Sequence, residues 1–239
     1  MKRLFITEKP SVAMEFAKAL GLSGKRNDGY MEDGDNVITW CVGHLVTLSY
    51  PEKYDPELTQ WSLDTLPFLP KNYLYEVIPE SSKQYRVVAS LLNRKDVGKI
   101  YYSGDSGREG EYIQRLVRQL AGRNQSAEEY RVWIDSQTDE EILRGIREAK
   151  PLSFYDSLSE SAYARAIEDY SIGINYSRAV TLKYGNMAAA LSGQGKGVVS
   201  VGRVMSCVLG MVVRREREIR ENIKTAYYAI GADIGIGLV

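Results

Sequence analysis

Lys99-Ile100-Tyr101-Tyr102-Ser103-Gly104-Asp105-Ser106-Gly107-Arg108-Glu109-Gly110-Glu111 decides how this chain folds. Its first four residues have the β-branched and aromatic character of a buried strand. A tight glycine-rich turn follows and opens a helix. Ile113, Leu116, Val117 and Leu120 then recur at helical spacing on one face. A strand, a sharp turn carrying acids and an amphipathic helix make one unit of a parallel α/β sheet.

The same pattern occurs upstream. Leu4–Thr7 reads as a short buried strand, and Glu8-Lys9-Pro10-Ser11 turns into a helix. Val12, Phe16, Ala19 and Leu20 form the apolar face of that helix, which Gly21 stops. Further strands are expected over Val37–Val42, Tyr73–Ile78 and Arg131–Ile134, with a helix over Lys83–Asn93. Residues 49–72, rich in Pro, Tyr and Asp, read as an excursion without regular structure. Thr138-x-x-Glu141 has the form of a capping box starting a helix that Pro151 ends. Strands alternating with helices predict an α/β, mostly parallel sheet over residues 1–150. Residues 151–239 read as mainly helical, with helices near 158–174, 176–190 and 204–222 and a glycine-rich loop at 193–197. Tyr227–Ile236 begins as a strand and then stops, which suggests a piece of a longer protein.

The 239 residues are 44% hydrophobic and 26% charged, the composition of a folded domain, with zero formal net charge. That balance counts against a protein whose whole surface binds nucleic acid, but not against a local basic groove. The only cysteines, Cys41 and Cys207, are far apart and form no zinc pattern; free thiols suit the cytoplasm. Met1–Glu8, with a short apolar stretch before an acid, does not read as a signal peptide, and no apolar run approaches the ~20 residues that span a bilayer.

In an open α/β sheet, ligands gather beyond the carboxyl ends of the parallel strands. Glu8 and Asp105 each follow such a strand, and Glu111 lies one turn into the helix after the second. Three converging carboxylates call for a hard cation, and Mg²⁺ suits oxygen ligands. Lys9 and Arg108 bring positive charge to the same edge. Acids, a cation and basic side chains together suit a phosphodiester. The glycine-rich turn is not a phosphate-cradling P-loop, because Gly-Lys-Ser/Thr is missing from its end.

Ile6-Thr7-Glu8-Lys9-Pro10-Ser11 and Val42-Gly43-His44-Leu45 resemble segments of type IA DNA topoisomerases of the topoisomerase III kind. Asp105–Glu111 resembles the acidic motif of the Rossmann-like Toprim domain, which that family shares with bacterial primases. The resemblance implies that Glu8 takes part in cleavage and rejoining, that Lys9 contacts the scissile phosphate, and that Asp105 and Glu111, with Glu8, hold Mg²⁺. Gly107 stands where the motif usually has a second Asp, which implies a weaker metal site, with Glu109 as a possible substitute.

In the second half, Arg165 and Asp169 share a helix face. Ser200-Val201-Gly202-Arg203-Val204 precedes a helix whose end is basic: residues 203–224 carry six basic and three acidic side chains. By resemblance this half is part of a DNA-binding arch, with Arg165, Asp169, Arg178, Ser200 and Arg203 as DNA contacts beside Arg108. Met205-Ser206-Cys207 replaces the usual Gln-Thr/Ser-Pro of that arch. The partner implied is single-stranded or negatively supercoiled DNA. Tyr163 and Tyr176, each two residues before an Arg, lie in the DNA-binding segment rather than the cleavage domain, so the nucleophilic tyrosine is expected beyond residue 239. Two other readings stay open: another Toprim enzyme, such as a primase or nuclease, and a DNA-binding module without catalysis.

Overall fold

The computed structural model describes residues 1–23, 25–193 and 197–231. A seven-stranded sheet is built from β1 (Lys2–Thr7), β2 (Lys25–Asn27), β3 (Tyr30–Glu32), β4 (Asn36–Trp40), β7 (Val97–Ser103), β8 (Glu128–Arg131) and β9 (Lys150–Pro151). Its order is β2-β3-β4-β1-β7-β8-β9. The central strands β4, β1, β7 and β8 are parallel, and both edges are antiparallel. A separate two-stranded sheet pairs β5 (Val46–Leu48) with β6 (Tyr75–Val77).

Side chains alternate across β1 with period two, so its two faces feed two cores. Leu4 and Ile6 pack with Val88, Leu91 and Leu92 of α2 (Ser82–Leu92) and with Ile113, Leu116 and Val117 of α3 (Arg108–Ala121). Phe5 and Ile38 pack with Val12, Ala13, Phe16 and Ala17 of α1 (Pro10–Ala19) and Ile142 of α4 (Asp139–Arg147). Each fully buried Leu, Ile or Phe stabilises the fold by ~1.5–3 kcal/mol relative to exposure. The expected α3 face is buried except at Leu120, and Gly122 ends the helix at a positive φ of 66°.

Several expectations need correction. The strand expected at Arg131–Ile134 lies earlier, at Glu128–Arg131. Its polar residues hide it, because each is paired: Glu129 with Arg118 and Arg123, and Arg131 with Glu111. Thr138 precedes α4 but its hydroxyl makes no capping bond, so the capping box is not formed. That helix ends at Arg147, and Lys150-Pro151 returns as an edge strand. The helices expected at 158–174 and 176–190 are one, α5 (Asp156–Ser192). Gly173 and Asn175 do not break it, because the Asn175 side chain bonds outward to both backbone groups of Phe68 and back to the Ser171 carbonyl. α6 (Arg203–Glu221) matches its expectation. Residues 227–231 form no strand; most of the 193–197 loop and the rest of the 227–236 tract lie outside the described residues.

The 49–72 excursion carries three single-turn helices and is fastened to α5. Tyr170 donates to the Ser49 carbonyl at 2.7 Å, and Arg178 to the Leu58 carbonyl at 3.0 Å. On another side of α5, Ser177 and Thr181 bond the backbone of Val201 and Val199.

Candidate acidic edge and nucleic-acid cleft

Glu8 follows β1 directly and Asp105 follows β7 by two residues, so the adjacent parallel strands bring them together. A Glu8 carboxylate oxygen accepts the Asp105 backbone N–H at 3.3 Å, and Lys9 Nζ lies 3.7 Å from the other oxygen. Glu8 is largely buried, whereas Asp105 and Lys9 face outward. Burial, and then the Glu8 charge, push the neighbouring Cys41 thiol up to about 12, so it stays protonated at neutral pH.

The backbone explains the turn's glycines. A Cβ on Gly110 would stand 2.3 Å from the Asp105 carbonyl oxygen and 2.7 Å from its nitrogen, so only glycine lets the helix pass so close. Gly107 differs: its backbone is extended, and a Cβ there would meet nothing within 4 Å.

Glu111, expected beside Glu8 and Asp105 as a metal ligand, is held instead between two arginines. It is 1% exposed, and its two oxygens are held by Arg115 Nε at 2.7 Å and Arg131 Nε at 2.8 Å. Arg131, itself fully buried, also donates to the carbonyls of Tyr102, Gly104, Asp105 and Val132. Burial lowers the Arg131 pKa and the Glu111 charge opposes that shift. A carboxylate neutralised by two guanidiniums braces the turn that carries Asp105.

Glu109 is instead the exposed acid of the first α3 turn, hydrogen-bonded to His44 Nε2 at 2.6 Å. Gly43, at φ +81°, sets the bend that delivers His44. Among the described residues no group of three His, Cys, Asp or Glu side chains is arranged to hold a metal. Glu8 and Asp105, oxygen donors beside cationic groups, still fit Mg²⁺, which can be held by one or two carboxylates with water and a substrate phosphate.

Asp105 lines one hollow with Ser106 and Asp135, and a separate cleft runs along α5 from Arg108 and Glu109. Its first cavity, about 310 Å³, is lined by His44, Arg108, Glu109, Arg165, Asp169 and Tyr170, among others. Arg203 grips Asp169 with two bonds of 2.8 and 3.0 Å, and Arg165 lies 3.9 Å from the same carboxylate. The Arg203 hydrogen bond holds Asp169 below the usual carboxylate range. Asp169 is therefore a brace between arginines. A second cavity, about 460 Å³, shares Thr47, Leu48, Asp169 and Tyr170 with the first and extends to Trp61, Arg178 and Ser200. Arg178 is not an open surface cation: it is 4% exposed, lies 5.1 Å from the Trp61 ring centroid and 3.6 Å from Glu52.

The sequence reading missed His44–Glu109 as a pair, Arg131 and Trp61. An arginine within a strand was the available signal for Arg131; nothing local marks Trp61. Tyr163 packs against Tyr75 and Tyr112, and burial pushes its hydroxyl up to about 12, which suits a structural role. No helix among the described residues is long and apolar enough to cross a membrane.

Residues 3–136 match the Toprim domain family, and residues 153–238 match the DNA topoisomerase family. Over 235 residues the chain is 37% identical to DNA topoisomerase 3 of Staphylococcus haemolyticus, covering 98% of this chain and 31% of that protein. It is 38% identical over 231 residues to DNA topoisomerase 3 of Bacillus anthracis, covering 97% and 30%. The chain thus spans just under a third of these relatives' length. Full-length topoisomerase I from Thermotoga maritima superimposes with a TM-score of 0.58 at 20% identity, covering 92% of this chain and 31% of that one, which shows a shared fold. The chain therefore belongs to the Toprim domain family.

Proposed function

We propose that this chain is the amino-terminal part of an ATP-independent type IA topoisomerase, acting in the cytoplasm on single-stranded or negatively supercoiled DNA. The observation that carries this reading is the meeting of Glu8, Lys9 and Asp105 at one edge of the parallel sheet, with Arg108, three residues past Asp105, lining a cleft along α5. Glu8 and Asp105 would hold Mg²⁺, which when bound supplies positive charge to the scissile phosphate. Lys9 and Arg108 add charge to that phosphate, and Glu8, largely buried beside them, is placed to move a proton during cleavage and rejoining. Arg165 and Arg203 contact the strand's backbone, with Ser200 further along the cleft. The attacking tyrosine is supplied by a part of the parent protein outside these residues, so the chain alone binds DNA without relaxing it. Residues 1–150 form the Toprim unit and 151–239 the arch segment.

The absence of a three-acid cluster among the described residues favours one second reading, a DNA-binding module that uses no metal. Titration of single-stranded DNA with and without Mg²⁺ separates the two. For the enzyme reading, Mg²⁺ tightens binding of the wild type, and Glu8→Gln and Asp105→Asn abolish that tightening. A wild type indifferent to Mg²⁺ favours the module, and an absence of DNA binding removes both.

A further inference from the structure

Asp105 is an exposed acid on a turn, yet its main chain is held on both sides. Glu8 accepts its N–H at 3.3 Å, and Arg131 donates to its carbonyl at 2.7 Å. A third tie comes from the next residue. The Ser106 hydroxyl donates to the Ile134 carbonyl at 2.6 Å and accepts the Ile134 N–H at 3.0 Å. A hydroxyl can do both at once. Ile134 lies beyond the end of β8, outside the strand ladder, so this side chain satisfies its backbone. The anchor is itself firm. Ile134 packs against the core that α1 and α4 share, and a Cβ on Gly145 of α4 would overlap its side chain.

We propose that Ser106 is a positioning residue for Mg²⁺: its hydroxyl ties the acidic turn to Ile134 and so fixes where the Asp105 carboxylate points. This role rests on the reading that Glu8 and Asp105 hold the ion, and it names the residue that sets how firmly Asp105 does so. Of the three ties, the one made by Ser106 involves no charge. Glu8 is itself a proposed ligand, and Arg131 also neutralises the buried Glu111. The turn needs the extra tie because Gly107 supplies neither a carboxylate nor a side-chain contact. An ion held by two carboxylates depends more on the placement of each than an ion held by three. A turn left free must be ordered when the ion binds, and that ordering weakens binding. Residues that orient a ligand without touching the ion change metal affinity for this reason. The position of Ser106 argues against a purely structural duty. It is half-buried, at a hollow of about 340 Å³ that Asp105, Asp135, Ser136 and Gln137 also line. Water in that hollow can satisfy Ile134 once the hydroxyl is gone. The fold then loses little, while the turn loses its anchor.

The test is a calorimetric titration of Mg²⁺ into the whole chain without DNA. Ser106→Ala is expected to weaken Mg²⁺ binding about tenfold, as the loss of a ligand-orienting partner does. Ser106→Thr keeps the hydroxyl and recovers most of the wild-type affinity. Ser136→Ala is the control. Its hydroxyl belongs to the same hollow but meets only the Thr138 N–H, at 3.4 Å, so its removal leaves Mg²⁺ affinity unchanged. In the metal-free wild type the Ile134 amide is protected from hydrogen exchange, and in Ser106→Ala it is not. Wild-type Mg²⁺ affinity in Ser106→Ala, or rapid exchange of the Ile134 amide in the wild type, overturns the positioning role and leaves Glu8 and Asp105 as ligands. Equal losses in Ser106→Ala and Ser136→Ala overturn it as well, because the polarity of the hollow would then be what matters. A Ser106→Ala protein without a cooperative melting transition makes the hydroxyl a requirement of the fold and overturns the assignment. If the wild type binds no Mg²⁺, the positioning role and the metal reading fall together.

Discussion

At the residue scale, one motif contains acids with opposite duties. Glu111 and Glu109 are two positions apart in a helix, so they point in different directions, one into the protein and one out. Removing one member of a buried ion pair costs about 3–5 kcal/mol, because the other charge is left uncompensated. Glu111→Gln is therefore expected to lower the melting temperature markedly while any remaining folded protein keeps its response to Mg²⁺. A stable Glu111→Gln protein with no Mg²⁺ response would make Glu111 a metal ligand, as the sequence suggests. Gly107→Asp tests the same edge from the other side. The position is open and extended, so Asp enters without strain and adds a carboxylate two residues from Asp105. Calorimetry is expected to show tighter Mg²⁺ binding with stability changed by only a few tenths of a kcal/mol, the usual Asp-for-Gly difference at a helix start. Unchanged Mg²⁺ affinity would exclude Glu8 and Asp105 as ligands.

At the element scale, the strand–turn–helix units were legible because their apolar spacing is strong: Leu4–Thr7 with α1, and Lys99–Tyr102 with α3. The acidic turn was legible for the same reason, and this is why Glu8 and Asp105 were expected at one edge. β8 was misplaced because tertiary ion pairs, invisible in a linear pattern, bury its charged residues. α5 was split because Gly173 and Asn175 look like breakers until their partners across the fold are known. The short β2–β3 hairpin was missed altogether, since three-residue strands carry almost no period. That hairpin is held by Glu32, which bonds Arg94 and Lys2. The Arg94 hydrogen bond chiefly lowers the Glu32 pKa, with Lys2 adding to it, against burial. A carboxylate depressed in the folded state contributes stability above its unfolded pKa near 4.5 and loses it as pH falls through the folded value. Acid denaturation of Glu32→Gln is therefore expected to show a shallower loss below pH 4.5 than the wild type. Parallel curves would mean the hairpin is fastened by other contacts.

At the scale of the whole molecule, a chain of zero net charge that binds DNA as proposed must concentrate positive potential locally, and the charges of the cleft are closely balanced. Arg108 and Arg165 line it and Arg203 reaches its wall through Asp169, against the acids Glu109 and Asp169. A surplus of one positive charge is small, so the acids govern its strength as much as the arginines do. If Asp169 contacted DNA, as its place in the sequence suggested, Asp169→Asn would weaken binding. As a brace that neutralises Arg165 and Arg203, its removal should instead tighten single-stranded binding at low salt. The dependence of log K on log salt should steepen by roughly 0.7 for each additional phosphate neutralised. Arg203→Ala should move both quantities the other way. In the double variant Asp169→Asn with Arg203→Ala, most of the gain should vanish, because the released guanidinium is what the strand meets. Weaker binding by Asp169→Asn alone, in a protein that melts like the wild type, would return Asp169 to the list of direct contacts and would move the strand's path onto the α5 face that carries it.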